Sequence, residues 1–248
     1  MAEPPRAEGA RAALSFLVHQ PPSEARAALV FLHGAGEGFL DDAPGVKPEK
    51  HAEGLKNLWK LGPPELLSDP RQSLDAAHPL RQSFVTIAPQ LPSRQLGWDA
   101  PAVESEILRV IAAVAPGKPL FLLGFSKGGK GAFQLASGLS ARAIFTIDAS
   151  HLGEEDFWEV ADRCEVPHWC VYTEHAPSDR LYRNVTQLHE RMNRRCKPHA
   201  PGLLRPPARD GHWKSLVPVS RWTRNPHAEI CRVASRHRSP YDWLLSHL

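Results

Sequence analysis

Cysteine and long apolar runs are both scarce in this chain of 248 residues. The four cysteines stand at positions 164, 170, 196 and 231, without C-x-x-C spacing and without histidines at metal-ligand intervals. This pattern favours reduced thiols over a disulfide framework or a zinc site. No apolar run is long enough to cross a bilayer, and the first five residues lack a basic segment followed by an apolar one. The expected location is therefore cytoplasmic.

Excess charge is also small, because the formal net charge is only +3. Such a balance does not demand a polyanionic partner. Arginine and lysine gather near 191–197 and 221–238, and we interpret both clusters as solvated helix faces, since no nucleic-acid-binding motif accompanies them. We expect neither a nucleic-acid partner nor membrane association, and the sequence does not fix the oligomeric state.

Short apolar runs alternate with helical patterns along most of the chain. We predict strands at 14–18, 28–32, 84–88, 120–123, 143–147 and 169–172, and helices at 51–61, 101–114 and 184–192. This alternation predicts an α/β fold with a mostly parallel sheet and helices on both faces. The length suits a single domain over residues 1–248, with residues 1–12 flexible. A last strand at 203–205 should be short and at an edge, because prolines follow it.

A glycine-rich turn follows the predicted strand at 120–123. The segment Gly124-Phe125-Ser126-Lys127-Gly128 has the G-x-S-x-G pattern of a nucleophile elbow, in which a buried strand turns sharply into a helix. The required helix is present in the pattern, because apolar residues recur with helical spacing from 132 to 139. Ser126 is therefore the candidate nucleophile, and the alternative is a plain strand-to-helix connection.

A second glycine-rich turn follows the predicted strand at 28–32. It reads His33-Gly34-Ala35-Gly36, and a turn of this type exposes backbone amides that can bind an oxyanion. We expect the two donors of the oxyanion hole to be the amides of Ala35 and of Lys127, the residue after the nucleophile. The imidazole of His33 is expected to orient its own turn rather than to react.

The serine needs a histidine from late in the chain, because the usual order in this topology is serine, acid, histidine. His212, in Asp210-Gly211-His212-Trp213, is the candidate base, since we expect it in a flexible loop after the last strand. His227, His237 and His247 are expected to be solvated, in or near the terminal helices.

The acid that orients the imidazole should follow one of the later strands. Asp179 is the first candidate, because it lies in a turn-rich loop shortly after the predicted strand at 169–172. Glu174, at the end of that strand, and Asp148, at the end of the strand before it, remain open as alternatives. Trp98 is the candidate for lining the substrate pocket, although large aromatic residues more often pack in a core.

Taken together, these segments resemble the α/β-hydrolase superfamily. The resemblance rests on HGAGE at 33–37, APQLP at 88–92 with a following Trp98, GFSKGG at 124–129, and the C-terminal GHW and YDWLLSHL. The chain is similar to the short serine esterases grouped with dienelactone hydrolases, phospholipase/carboxylesterases and predicted peptidases. It departs from that group in having Lys127 after the nucleophile and no short glycine turn before Asp179.

The resemblance implies a three-layer α/β-hydrolase fold and hydrolysis of carboxylic esters or thioesters with small or medium acyl groups. It also implies a Ser126-Asp179-His212 triad that works through an acyl-enzyme, with a small-molecule ester as substrate and no metal or organic cofactor. Peptidase or lysophospholipase activity on the same fold is the nearest alternative. A protein of this fold that binds a ligand without a competent triad is the alternative from a different class.

Overall fold

Eight strands form one sheet in the part of the chain that the structure describes. The structure is a computed structural model, and it describes residues 14–37, 51–68, 74–92, 96–149, 164–173, 197–198, 207, 212–217 and 226–248. The strands, in chain order, are β1 (Ser15–His19), β2 (Ala27–Leu32), β3 (Phe84–Gln90), β4 (Leu120–Phe125), β5 (Ala143–Ile147), β6 (His168–Thr173), β7 (Lys197–Pro198) and β8 (His212–Val217).

The sheet is parallel apart from one edge strand. Its spatial order is β1-β3-β2-β4-β5-β6-β8-β7, and only β1 runs antiparallel to its neighbour. Because the parallel strands share one direction, their carboxyl ends lie along a single edge of the sheet, where α/β proteins usually build their sites. Every residue of β2, β3, β4 and β5 is buried. Burial on both faces explains why these strands read as continuous apolar runs rather than as alternating patterns.

Helices cover both faces of the sheet and produce three layers. They are α1 (His51–Leu58), α2 (Gly62–Ser68), α3 (Pro79–Gln82), α4 (Pro101–Val114), α5 (Lys127–Leu135), α6 (Pro226–Arg236) and α7 (Arg238–Leu245). One hydrophobic core joins the sheet to α4 and α5, and a second joins it to α1, α2, α3, α6 and α7. The side chains of β4 alternate between the two cores. Leu122 belongs to the first core, and Phe121 and Leu123 belong to the second.

The structure confirms the predicted class of fold, a mostly parallel sheet between helices, and refines its boundaries. The helix predicted over 51–61 ends earlier, at Leu58, and a separate helix, α2, begins at Gly62. Gly62 has a φ of 70°, and a side chain there would collide with the ring of Phe31 in β2. The break in the helix therefore depends on a residue without a Cβ.

The C-terminal end of the sheet differs most from the prediction. Among the described strands, the last in sequence is β8, over 212–217, and β8 lies inside the sheet between β6 and β7. Trp169 of β6 donates its indole N–H to Ser215 of β8 at 2.9 Å, and both side chains are buried. The predicted strand at 203–205, the helix at 184–192 and the flexible segment 1–12 all lie outside the described residues.

Candidate active site

Ser126 occupies the sharp turn between β4 and α5. Its φ of 54° and ψ of −119° lie in a region that residues with a side chain rarely adopt, so the backbone is strained there. Two hydrogen bonds hold the turn: Ser126 N–H donates to the carbonyl of Ile147 at 3.0 Å, and Gly129 N–H donates to the carbonyl of Ser126 at 2.9 Å. This is the strand, strained serine and helix arrangement that the G-x-S-x-G pattern predicts.

The glycines on either side of Ser126 permit close backbone contacts. A Cβ on Gly124 would collide with the backbone of Gly128, the second residue of α5. A Cβ on Gly128 would collide with the carbonyl groups of Leu32 and His33 at the end of β2. Because both positions lack a side chain, the elbow packs directly against the turn that follows β2.

Asp148 follows the neighbouring strand at the same edge of the sheet. Phe125 and Ile147 are paired in the parallel register of β4 and β5, so Ser126 and Asp148 begin adjacent turns. Asp148 also has a left-handed backbone, with a φ of 46°, and its N–H donates to the carbonyl of Val171 at 2.8 Å. Its side chain is 1% exposed. A buried carboxylate is costly unless it is paired or hydrogen-bonded, which directs attention to its partner.

That partner is His227, at the start of α6. Its Nδ1 lies 2.6 Å from Oδ2 of Asp148, and its side chain is 23% exposed. The imidazole also packs on the ring of Phe125, with centroids 4.6 Å apart and planes inclined by 34°. His227 is thus held by the residue before Ser126 and by the carboxylate beside it. With Nδ1–H donated to Asp148, Nε2 is the nitrogen available for proton exchange.

The prediction that His212 lies in a loop after the last strand is wrong. His212 is the first residue of β8 and pairs with His168, the first residue of β6. It therefore stands at the amino edge of the parallel strands, whereas Ser126 follows the carboxyl end of β4. A strand of six residues separates these edges by roughly 20 Å, so the backbone of His212 is far from the elbow.

His227 is a functional residue that the sequence pattern does not reveal, because the pattern places the end of the sheet too early. If the last strand is at 203–205, as predicted, His212 is the first histidine after it. The prediction therefore selects His212 and treats the C-terminal histidines as solvated. The structure ends the last strand at Val217, and His227 is the next histidine along the chain. His247 is buried as well, at 6% exposure, and its Nδ1 lies 2.9 Å from the carbonyl of Trp243.

Of the three candidate acids for the triad, the structure describes only Asp148. Asp148, an alternative in the sequence analysis, is the carboxylate that binds a histidine beside Ser126. Asp179 and Glu174 lie outside the described residues. The signal for Asp148 was available in the sequence, because it ends the apolar run of β5, next to β4 in the chain.

The turn after β2 is fixed by a neutral imidazole. Nδ1 of His33 lies 2.6 Å from the carbonyl of Gly34 and donates to it, while Nε2 accepts from Leu91 N–H at 3.1 Å. This pair of partners requires the neutral ring with its proton on Nδ1. Burial lowers the pKa of His33 to about 4; the hydrogen bond to Gly34 opposes this shift and the charge of Lys127 adds to it. His33 therefore orients its own turn, in agreement with the expectation from the sequence.

The turn that His33 holds lies directly against the elbow. An ideal Cβ on Gly34 would stand 3.2 Å from Cβ of Ser126. Ala35, the next residue and one expected oxyanion donor, is exposed within the turn. Lys127, the other expected donor, is the first residue of α5, where backbone N–H groups have no partner within the helix.

The side chain of Lys127 extends away from Ser126 to a neighbouring loop. Its Nζ donates to the carbonyl of Leu96 at 2.8 Å. Partial burial lowers the pKa of this ammonium group, although the carboxylate of Asp99 acts in the opposite direction and Lys130 reinforces the shift. The unusual residue after the nucleophile therefore ties the elbow to the loop at 96–99.

Trp98, the candidate for lining the substrate pocket, lies in the hydrophobic core. Its side chain is 1% exposed and belongs to the hydrophobic core on the α4 and α5 face. The indole packs edge-on against His33, with centroids 4.9 Å apart, and a Cβ on Gly131 would collide with it. From within the core, the indole of Trp98 therefore packs against the turn after β2 and against helix α5.

The described residues show neither a membrane-spanning helix nor a metal-binding cluster. No helix among them is both long and apolar enough to span a bilayer. No group of three or more histidine, cysteine, aspartate or glutamate side chains within the same residues is arranged to hold a metal ion.

Comparisons with known proteins add evidence on the fold. No protein-family model matches the chain, and no curated protein matches its sequence. Among solved structures, a thermostable esterase superposes with a TM-score of 0.53 at 16% identity, over 94% of this chain. A serine hydrolase without a lid from Xanthomonas campestris gives 0.51 at 11% identity, over 94% of this chain and 87% of its own. The chain has the α/β-hydrolase fold.

A third match agrees on the fold. An α/β serine hydrolase homologue from Coxiella burnetii superposes with a TM-score of 0.50 at 12% identity, over 95% of this chain and 91% of its own. This chain spans only 59% of the length of the thermostable esterase. At these identities the matches establish the α/β-hydrolase fold, and arguments about activity depend on the geometry around Ser126.

His33 provides a test of the site geometry by titration. The pKa of His33 is about 4 in the folded protein, against an ordinary value of 6.5. Between pH 4 and pH 6.5, the imidazole is therefore protonated in the unfolded chain but neutral in the folded protein. Stability from this residue is thus fully present above pH 6.5 and lost as the pH falls towards 4, by on the order of 3 kcal/mol. Imidazole ¹⁵N spectra should show His33 neutral, with its proton on Nδ1, down to pH 5. Titration of His33 near pH 6.5 would contradict the described hydrogen bonds.

Proposed function

We propose that this protein is a serine hydrolase that cleaves carboxylic esters or thioesters with small or medium acyl groups. The proposed triad is Ser126, His227 and Asp148. The observation that carries the proposal is the 2.6 Å contact between His227 and Asp148 beside a serine on a strained turn. This triad keeps the expected nucleophile, replaces His212 with His227 and takes its acid from the alternatives open in the sequence.

Acylation begins with attack of Ser126 Oγ on the substrate carbonyl. His227 accepts the hydroxyl proton on Nε2, because its Nδ1–H is donated to Asp148. Asp148 keeps the imidazole in this tautomer and stabilises the imidazolium that forms. The carbonyl carbon becomes tetrahedral, and its oxygen gains a negative charge that needs backbone donors.

We assign those donors to the amides of Lys127 and Ala35. Lys127 N–H is at the start of α5, where the helix dipole also favours negative charge. Ala35 lies in the turn whose Gly34 packs against Ser126, and the neutral His33 holds this turn. A preorganised donor of this kind typically accounts for a factor of roughly 10² to 10³ in kcat.

The second half of the reaction releases the acyl group. Protonated His227 gives its proton to the leaving alcohol or thiol, and Ser126 retains the acyl group as an ester. Water then attacks this ester while His227 accepts one of its protons. Collapse of the second tetrahedral intermediate breaks the bond to Ser126 Oγ, releases the carboxylic acid and returns the proton from His227 to Ser126. The steps balance without a redox partner, since a single water molecule is consumed for each ester cleaved.

Esters are favoured over peptides because an alcohol or thiol leaves more readily than an amine. Cleavage of a peptide by the same triad would depend on complete protonation of the leaving nitrogen by His227. Comparison of aryl-ester and peptide turnover separates the two activities. A pure ligand-binding role requires that neither class is turned over.

Replacement of Ser126 by alanine should abolish covalent labelling by a fluorophosphonate probe, because the probe needs an activated serine. Ser140→Ala is the matched control. Ser140 also has a left-handed backbone, with a φ of 53°, but it is exposed in the turns after α5. We expect full labelling of the control and none of Ser126→Ala, as measured by mass spectrometry. Labelling that survives in folded Ser126→Ala would reject the assignment.

The acid is tested by a pair of substitutions. Asp148→Asn should lower kcat by roughly 10³- to 10⁴-fold, because an amide no longer holds the imidazole in the required tautomer. Asp179→Asn, at the position first expected from the sequence, should leave kcat within a few-fold of the original. Steady-state hydrolysis of a 4-nitrophenyl ester measures both. A large loss in Asp179→Asn with little change in Asp148→Asn would reverse the assignment.

A further inference from the structure

A pocket lies between the antiparallel edge of the sheet and the helices α1 and α2. Its volume is about 260 Å³. Strands β1 and β3 form its floor, and α2, together with the residue after α1, forms its outer wall. The side chains that matter for its chemistry are Leu17, His19, Trp59, Leu67, Thr86 and Ala88.

This pocket is separate from the candidate active site. Thr86 pairs with Leu29 of β2, and Leu29 pairs with Phe121 of β4. Ser126 therefore stands two strands across the sheet and five residues further along it. With about 4.8 Å between strands and about 3.3 Å per residue, the separation is on the order of 20 Å.

Two polar atoms in the pocket are buried without a hydrogen-bond partner among the described residues. They are Nε2 of His19 and Oγ1 of Thr86. The two residues are directly opposite each other in the register of β1 and β3, so their side chains share one face of the sheet. Thr86 is only 3% exposed. A buried polar atom without a hydrogen bond destabilises the protein, so a ligand that supplies the missing hydrogen bond gains affinity.

Apart from Ser68, whose Oγ donates to the carbonyl of Pro64 at 2.7 Å, the walls around these atoms are apolar. Leu17 and Leu67 pack against the second hydrophobic core, of which Ala88 is a buried member. Trp59 lines the same pocket and is 46% exposed, an unusual degree for an indole. A ligand for this space therefore needs an apolar body and a single polar group.

The imidazole of His19 favours an uncharged polar group. Its pKa is lowered by burial and then by the positive charge of Arg81, so the ring is neutral at pH 7. A hydroxyl group can accept from Nε2–H or donate to a bare Nε2, and it can do either with Thr86. It thus satisfies both buried atoms in either tautomer of the ring, which an acceptor-only carboxylate cannot do.

We propose that this pocket is a binding site for a small neutral phenol or alcohol, with its hydroxyl between His19 and Thr86. The volume supports this size, because a cavity of about 150 Å³ already holds benzene and the present one is larger. The ring of a phenol lies among Leu17, Leu67 and Ala88, with Trp59 at the rim. The site is independent of the chemistry at Ser126.

The test uses 4-bromophenol and two threonine variants. Thr86→Val removes the hydroxyl from the pocket and keeps the shape of the side chain. Thr146→Val is the matched control, because Oγ1 of Thr146 is also buried without a partner among the described residues but does not line the pocket. Loss of one hydrogen bond should weaken binding to Thr86→Val roughly three- to tenfold in isothermal titration calorimetry. Thr146→Val should bind as the original protein does.

A co-crystal locates the ligand independently of affinity. The anomalous signal of bromine should lie between Trp59 and Ala88, with the hydroxyl towards Thr86. The proposal is overturned if no binding heat appears up to the solubility limit, or if both valine variants bind equally. It is also overturned if the bromine occupies only another site, or if an aliphatic carboxylate of similar size binds more tightly than the phenol.

Discussion

The hydrogen bond between His227 and Asp148 brings together two segments that are 79 residues apart in sequence. One is the turn after β5, and the other is the first turn of α6. Everything proposed about catalysis depends on this contact, because it gives the imidazole its tautomer and holds it over Phe125, next to Ser126. The sheet positions the carboxylate of this contact, because the paired ends of β4 and β5 place Ser126 and Asp148 side by side.

Backbone strain is concentrated at the same edge of the sheet. Ser126 and Asp148 both have left-handed φ values without being glycine, and each costs of order 1 to 3 kcal/mol. At Ser126, glycine at 124 and 128 allows backbone contacts that a Cβ would prevent. At Asp148, the backbone N–H donates to the carbonyl of Val171 at 2.8 Å. Strained conformations of this kind persist where packing and hydrogen bonds around them compensate for their cost.

The parts of this account that the sequence predicts are local. The elbow at Ser126 could be identified because strand, turn and helix are consecutive, and the buried parallel strands because their apolar runs are continuous. His227 could not, because β8 mixes polar residues such as Lys214 and Ser215 with apolar ones and does not read as an interior strand. Its pairing with Asp148 is long-range, and no spacing encodes it. The sequence does not determine whether Trp98 packs in the core or lines a pocket, because aromatic residues occur in both places.

The account is tested most directly by comparing two histidine variants in the hydrolysis of a 4-nitrophenyl ester. His227→Gln should lower kcat/KM by a factor on the order of 10³ or more, since it removes the base next to Ser126. His212→Gln, at the amino end of β8, should stay within a few-fold of the original protein. Circular dichroism of both variants establishes that they are folded. The opposite pattern, a folded and active His227→Gln with an inactive His212→Gln, would contradict the central claim.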